Sequence, residues 1–361
     1  MEKIIEGLVF RPKEAVTTFF DDRNRVIVYG ITGYSYIQKE FVKASGPIAY
    51  DIIKNAVKKS AKLFISEIFS KKEKSVWEFI RILNKMGIGK VEVVELNDNG
   101  EGYLKLENSF IGEYYRGQSD RAVCDYVIGL LEGGLEVIFE RPFLCKEIYC
   151  VGKGDSFCEF ETRISKGKVE KIDLKGIKEY KGEKTNKWDL LEFDSEEGTV
   201  WEGPNRAAIF NSSCIAMIQQ EMEKITGPAA YTIIKNGNKV ATNIFVKQLI
   251  PTFLGINKLI TSFMKKKLVE ELLKVPNYQG TIHLVIEEAD YKKPYFKFRG
   301  YNSFLAENYK NKTNRPVCDF ISGMIEGAAE IIYPGKHIIC VENKCIATGD
   351  NYCEFEVKSS F

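Results

Sequence analysis

Cys145-Lys146-Glu147-Ile148-Tyr149-Cys150-Val151-Gly152-Lys153-Gly154-Asp155-Ser156-Phe157-Cys158 returns near the C-terminus as Cys340-Val341-Glu342-Asn343-Lys344-Cys345-Ile346-Ala347-Thr348-Gly349-Asp350-Asn351-Tyr352-Cys353. Both stretches read C-x-E-x2-C-x7-C. Each has a further cysteine upstream, Cys124 or Cys318, followed in both cases by aspartate, so eight of the nine cysteines fall into two matching sets. The ninth, Cys214, has no counterpart and reads as a small buried apolar residue. Strand-like runs on either side of Gly152-Lys153-Gly154-Asp155 and of Ala347-Thr348-Gly349-Asp350 make each stretch a hairpin with a tight turn.

Thiolates on the two arms of a hairpin are a recurrent way to hold zinc, and Cys150 and Cys158 can approach each other across antiparallel strands. Cys124 is the natural third ligand, because it sits near a helix N-terminus, where the dipole and free N–H groups favour a thiolate. Glu147 as the fourth gives a Cys3Glu set, repeated by Cys318, Glu342, Cys345 and Cys353. Three residues separate Glu147 from Cys150, so a regular strand would turn them to opposite faces, and convergence requires a bulge or bend. Cys145 and Cys340 compete as fourth ligands and would give all-sulfur sites. Their five-residue separation from Cys150 and Cys345 raises the same difficulty.

The repeat extends outward from the cysteines. Ser45-Gly46-Pro47 is mirrored by Thr226-Gly227-Pro228 at an offset of 181, and Pro47 suits the first turn of a long amphipathic helix. Its apolar positions Ile52, Ile53, Ala56, Ala61, Phe64, Ile65 and Ile68 read as a core-facing stripe. Upstream, Asn24–Gly30 and its counterpart Asn205–Asn211 are short apolar runs, each a strand or a helix start. Val76–Gly87 reads as a second helix. Val91–Leu96 and Tyr103–Ser109 flank an Asn/Gly cluster and form a hairpin, matched by Thr281–Ile286 and Tyr295–Ser303. By Asn302 the offset from Asn108 is 194, so about thirteen extra residues lie between Asn236 and Asn302. The helices carrying the upstream cysteines, Arg121–Gly133 and Arg315–Gly327, have Pro316 at the expected first turn of the second. Each has glycines four apart, Gly129 and Gly133, Gly323 and Gly327, which predicts close backbone packing on that face against the sheet.

A chain of 361 residues built this way divides into a first domain at 1–164, a lysine-rich solvated linker at 165–185 and a second domain at 186–361. With 52 basic and 50 acidic residues the net charge is +2, which gives no drive toward nucleic acid. The N-terminus lacks the apolar region of a signal peptide and no apolar run is long enough to span a bilayer, so a cytoplasmic protein with no membrane association is expected. Thiols there stay reduced, which favours metal ligation over disulfides.

These residues resemble the 4-vinyl reductase domain, a family of zinc-containing small-molecule-binding domains found in phenol-responsive activators and archaeal proteins. The family pattern is a helix cysteine followed by E-x2-C-x7-C. It falls on Cys124, Glu147, Cys150 and Cys158, and again on Cys318, Glu342, Cys345 and Cys353, with 26 and 27 residues from the helix cysteine to the middle one. The resemblance implies glutamate rather than Cys145 or Cys340 as fourth ligand, and two structural zinc ions per chain. It also implies an α+β fold: two tandem copies of an antiparallel sheet with flanking helices, each with an apolar pocket beside the zinc. Candidate pocket walls are Tyr103, Leu104, Leu106, Tyr126 and Cys145 in the first copy, and Phe298, Phe320 and Cys340 in the second, all of which serve equally as core. Phenol sensors of this type use a pocket histidine, whereas this chain has only His283 and His337, both in the second half.

The leading expectation is a non-catalytic, zinc-stabilised binding or sensor protein for a small hydrophobic or aromatic molecule. No output module is visible, so a signal would pass through a protein partner. An accessory or reductase role on a tetrapyrrole is the alternative, against which stand the missing dinucleotide fingerprint, flavin site and Cys/His nucleophile pair. A third reading is an assembly scaffold, with the tandem copies packed as an intramolecular pseudo-dimer through the Gly-Pro helices, or a homodimer.

Overall fold

Arg25–Gly30 carries the run Val26-Ile27-Val28-Tyr29, β-branched and aromatic and wholly buried, and forms a strand. The computed structural model describes residues 2–169, 172, 174, 178–254, 262–310 and 312–360. In the first half the elements are β1 (Leu8–Arg11), β2 (Val16–Phe19), β3 (Arg25–Gly30), α1 (Ile31–Ser45), α2 (Ile48–Ile68), α3 (Val76–Lys85), β4 (Lys90–Leu96), β5 (Gly102–Glu107), α4 (Phe110–Tyr114), α5 (Asp125–Phe139), β6 (Phe143–Tyr149) and β7 (Cys158–Ile164). The second half repeats the order with β8 (Leu191–Asp194), β9 (Thr199–Glu202), β10 (Asn205–Asn211), α6 (Ser212–Thr226), α7 (Ala229–Leu254), α8 (Ser262–Leu272), α9 (Lys274–Tyr278), β11 (His283–Asp290), β12 (Tyr295–Tyr301), α10 (Phe304–Tyr309), α11 (Asp319–Ile332), β13 (Ile338–Lys344) and β14 (Cys353–Ser359). The α+β class and the tandem antiparallel sheets are as expected. Among the described residues no helix is long and apolar enough to cross a membrane.

Three antiparallel sheets organise the chain. Each half has its own four-stranded sheet, β4-β5-β7-β6 or β11-β12-β14-β13, and a six-stranded sheet of order β1-β2-β3-β10-β9-β8 belongs to both. The joint is the pairing of the equivalent strands β3 and β10, with Val28 opposite Ile209. The first twenty residues, of mixed character and without a readable period, form a hairpin that turns at Ala15 with φ 51°.

The three-stranded arms lie against the opposite halves. Val28 N donates to the Gln279 carbonyl at 3.0 Å, and its equivalent Ile209 N donates to the Met86 carbonyl at 2.8 Å. Arg25 donates to the carbonyls of Gly280 and Asn302, and Arg206 to those of Gly87 and Asn108. Tyr29 packs on Phe320 with ring centroids 4.9 Å apart, while its equivalent Phe210 packs on Tyr126 at 5.3 Å. Each half therefore completes its core with an aromatic side chain from the other. The halves meet through paired strands as well as through the Gly-Pro helices, of which α2 packs on α6 and α7 on α1.

Two local expectations are corrected. The paired glycines face a helix rather than the sheet: a Cβ on Gly129 or Gly133 would lie 2.5 Å from the Lys54 or Lys58 carbonyl oxygen of α2. Gly323 and Gly327 meet Lys235 and Lys239 of α7 in the same way. Pro316 precedes the helix, because Cys318 occupies the N-cap of α11 and Asp319 begins it. Of the lysine-rich segment 165–185, residues 170, 171, 173 and 175–177 lie outside the described residues, as do 255–261 of the longer region in the second half. Near the segment's end, Tyr180 donates to Glu307 at 2.9 Å and Thr185 pairs with Phe10.

Candidate metal centres and an apolar cavity

The hairpin β6–β7 solves the facing problem with an irregularity. Its register shifts between Glu147 and Tyr149, and that of β13–β14 shifts between Glu342 and Lys344, so the glutamate and the next cysteine turn to one side. Cys124 and Cys318 are the N-cap residues of α5 and α11, which places each sulfur at the positive end of a helix. The ligand atoms of Cys124, Glu147, Cys150 and Cys158 all lie within 4.8 Å of one another, and so do those of Cys318, Glu342, Cys345 and Cys353.

The spacing fits a tetrahedron around zinc. A Zn–S bond of about 2.3 Å puts two sulfurs of a tetrahedron roughly 3.8 Å apart. Cys124 and Cys158 sulfurs are 3.7 Å apart, Cys318 and Cys353 3.8 Å, and Cys345 and Cys353 3.9 Å. The carboxylates carry a second indication. Oε2 of Glu147 accepts from Cys124 N at 3.0 Å and Oε2 of Glu342 from Cys318 N at 2.8 Å, while Oε1 of each is buried without a hydrogen-bond partner. A buried oxygen left bare beside three thiols is a costly arrangement unless a cation takes it. The N–H that holds the other oxygen orients the ligand.

Electrostatics follows from the crowding. Burial, then the neighbouring Cys150 sulfur, pushes the Glu147 carboxyl up to about 8, and burial with Cys345 pushes Glu342 to about 9. Hydrogen bonds from the other two thiols hold Cys150 and Cys345 far below the ordinary thiol range. A divalent cation would displace the protons that the remaining groups retain. Sequence reasoning passed over the supporting contacts, although their residues repeat. Asp155 and Asp350 accept from the N–H of Cys150 and Cys345 at 2.7 and 2.9 Å. Ser109 and Ser303 set their hydroxyls 3.4 and 3.2 Å from the sulfurs of Cys124 and Cys318.

The model of the 4-vinyl reductase domain family matches residues 104–164 and again residues 296–359, and each matched segment holds a cysteine hairpin with its helix cysteine. The chain carries two 4-vinyl reductase domains. It is 23% identical to the phenol regulator MopR of Acinetobacter guillouiae over 179 residues, 46% of this chain and 30% of that one. It is 35% identical to the uncharacterized protein MJ0150 of Methanocaldococcus jannaschii over 86 residues, 24% of this chain and 49% of that one. The chain thus spans half or less of these two relatives. Among solved structures, the phenol-responsive sensory domain of the transcription activator PoxR with phenol covers 47% of this chain and 85% of its own, at 17% identity and a TM-score of 0.42. A vinyl-4-reductase family protein from Methanocaldococcus jannaschii covers 32% and 68%, at 26% identity and a TM-score of 0.27.

The second 4-vinyl reductase half contains an apolar cavity of about 120 Å3 between α7, α8, α9, α11, β11 and β12. Its walls include Phe296 and Phe298 of β12, Met324 and Ala329 of α11, and Tyr29 from the other half. Of the expected pocket residues, Phe298 lines this cavity. Phe320 lies beyond it, under the Tyr29 ring. Cys340 is buried, and its N–H donates to Glu326. In the first half Leu104, Leu106 and Tyr126 are buried core, Cys145 is half-buried with its N–H donating to Glu132, and Tyr103 is 36% exposed. His283 is half-buried and His337 is exposed, and neither lines the cavity. Cys214 is buried, as read.

The difference between the halves traces to single positions. Ala329 stands where the first half has Leu135. There the Phe79 ring also lies so close to α5 that a Cβ on Gly134 would meet it at 2.1 Å. Sequence reasoning missed Ala329, Glu202 and Gln279 as cavity residues. The Leu135/Ala329 mismatch between otherwise parallel helices was the available signal.

Proposed function

We propose that this chain is an intracellular binding or sensor protein that takes one small, neutral, apolar or aromatic molecule into the cavity of its second half. The observation that carries this reading is the cavity itself. An apolar cavity of roughly 150 Å3 takes up benzene, so about 120 Å3 suits a single ring or a short branched chain. The likeness to a phenol regulator supports a small aromatic as the natural class. A tetrapyrrole macrocycle far exceeds the space, which favours binding over tetrapyrrole chemistry.

The two Cys3Glu sets hold structural zinc in this proposal. Four protein ligands close the coordination sphere, whereas a catalytic zinc keeps a position open for water. The first half acts as the scaffold of the pair, since Leu135 and Phe79 occupy the space that is cavity in the second. Any signal passes to a protein partner that senses the state of the second half.

Metal analysis and native mass spectrometry of the full chain test the reading. Two zinc ions per chain and a co-purifying small mass are expected, and Cys150→Ser should retain one zinc. Metal-free protein from reducing purification would overturn the ligand assignment, and loss of both ions from Cys150→Ser would overturn independent sites. Ala329→Leu should abolish uptake of small aromatics while keeping both metals.

A further inference from the structure

The cavity is apolar except for a polar pair in its wall. Glu202, at the end of β9, and Gln279, just past α9, both line it, and they are 1% and 5% exposed. Gln279 Nε2 donates to both oxygens of Glu202, at 3.0 and 2.9 Å. Gln279 Oε1 is buried with no hydrogen-bond partner. In an apolar enclosure a bare amide oxygen is an acceptor in want of a donor.

The fold does not require this pair. Through the paired contacts of Val28 and Ile209, Gln279 occupies the position that Met86 holds in the first half. Each is followed by a glycine with positive φ, 74° at Gly280 and 73° at Gly87, and Met86 is 1% exposed. A thioether therefore satisfies the same backbone role where no cavity is needed. The amide appears in the half that has the cavity.

We propose that Glu202 and Gln279 are the specificity-determining pair of this cavity, selecting an uncharged, ring-sized molecule that carries one hydroxyl group. The proposal rests on the ligand-binding reading above. The hydroxyl donates to Gln279 Oε1, and the Glu202 carboxyl stands beside it. Burial pushes that carboxyl up to about 8, so near neutral pH it keeps a proton that can be given back to the same hydroxyl. A hydroxyl both gives and takes a hydrogen bond at one atom, which a methyl group of nearly the same size cannot do. A carboxylate ligand would bring a charge into an apolar enclosure whose acidic partner offers no compensation.

Phenol and toluene make the discriminating probes, since they differ by a hydroxyl in place of a methyl. Calorimetric titration of the full-length, zinc-loaded chain should find phenol bound about tenfold or more tightly than toluene. Gln279→Met, which installs the residue of the first half, should bring that ratio close to one, chiefly by weakening phenol. Gln279→Leu serves the same purpose if the methionine variant does not fold, with zinc content and the thermal transition as checks. Ala329→Leu should remove binding of both. Equal binding of phenol and toluene to the unaltered chain, or an unchanged ratio in Gln279→Met and Gln279→Leu, overturns the specificity pair while leaving the ligand-binding reading in place. Failure of the unaltered chain to bind either probe overturns both.

Discussion

Glu202 is a carboxylic acid whose one strong partner is an amide, and burial holds its proton until about pH 8, against an ordinary value of 4.5. Below pH 4.5 it is neutral in the folded and unfolded chain alike. Between 4.5 and about 8 the unfolded chain loses this proton and the folded chain keeps it, so the folded state binds more protons and stability falls as pH rises. The full effect is on the order of a few kcal/mol. Thermal melts from pH 5 to pH 8 should accordingly show the unaltered chain losing several degrees more than Glu202→Gln, which has no proton to lose. Parallel profiles for the two proteins would show that the Glu202 side chain is hydrated in the folded state. Glu147 and Glu342 titrate in the same direction, which is why the difference between the two proteins, and not either slope alone, isolates Glu202.

Helix pairs decide how close the layers come. Gly133 in the middle of α5 would ordinarily weaken the helix, and replacing it with alanine would stabilise by about 1 kcal/mol. Here the Cβ of Gly133→Ala would stand 2.5 Å from the Lys58 carbonyl oxygen and 2.8 Å from the Ala61 Cβ, so α2 must move. Lys58 also donates toward Glu132 and Glu136, at 3.0 and 2.8 Å, and a displaced α2 weakens those buried ion pairs. Urea denaturation should find Gly133→Ala and Gly327→Ala destabilised by about 1–3 kcal/mol, and a gain in stability would mean the helices have room to spare. This packing was half legible in the sequence, where the four-residue glycine spacing announces close approach but not the partner. Periodicity marks which face is covered, while the covering element depends on long-range topology. The same limit applies at the metal centres. Cysteine spacing and the repeat identify Cys124, Cys150 and Cys158, but the bulge at Ile148 that turns Glu147 toward them is a backbone event with no side-chain signature. At the cavity the limit is sharper, because a cavity comes from atoms that are missing, as at Ala329, and apolar residue types read alike whether they fill a core or line a space.

At the scale of the whole molecule, the exchanged arms make the two halves one folding problem. β3 satisfies its outer edge only by pairing with β10, and the Gln279 and Met86 carbonyls receive their N–H donors from the opposite half's arm. Tyr29 and Phe210 each bury a ring in the other half's core. Removing a large buried aromatic side chain from its core costs about 3–5 kcal/mol, before the open strand edge is counted. Residues 1–164 and 186–361 expressed separately should therefore aggregate or self-associate, because each retains an arm with an unpaired central strand and a 4-vinyl reductase core lacking its covering aromatic. Since β3 and β10 are equivalent, a lone half can meet the need by pairing with a second copy of itself, and size-exclusion chromatography should recover dimers before monomers. Co-expression of the two pieces should restore a one-to-one complex with both metals and a single thermal transition. A monomeric, cooperatively folding 186–361 with its zinc and its small-aromatic binding intact would refute this. It would show that the Tyr29 and Gly30 wall of the cavity is dispensable, and that the tandem arrangement serves something other than completion of the fold.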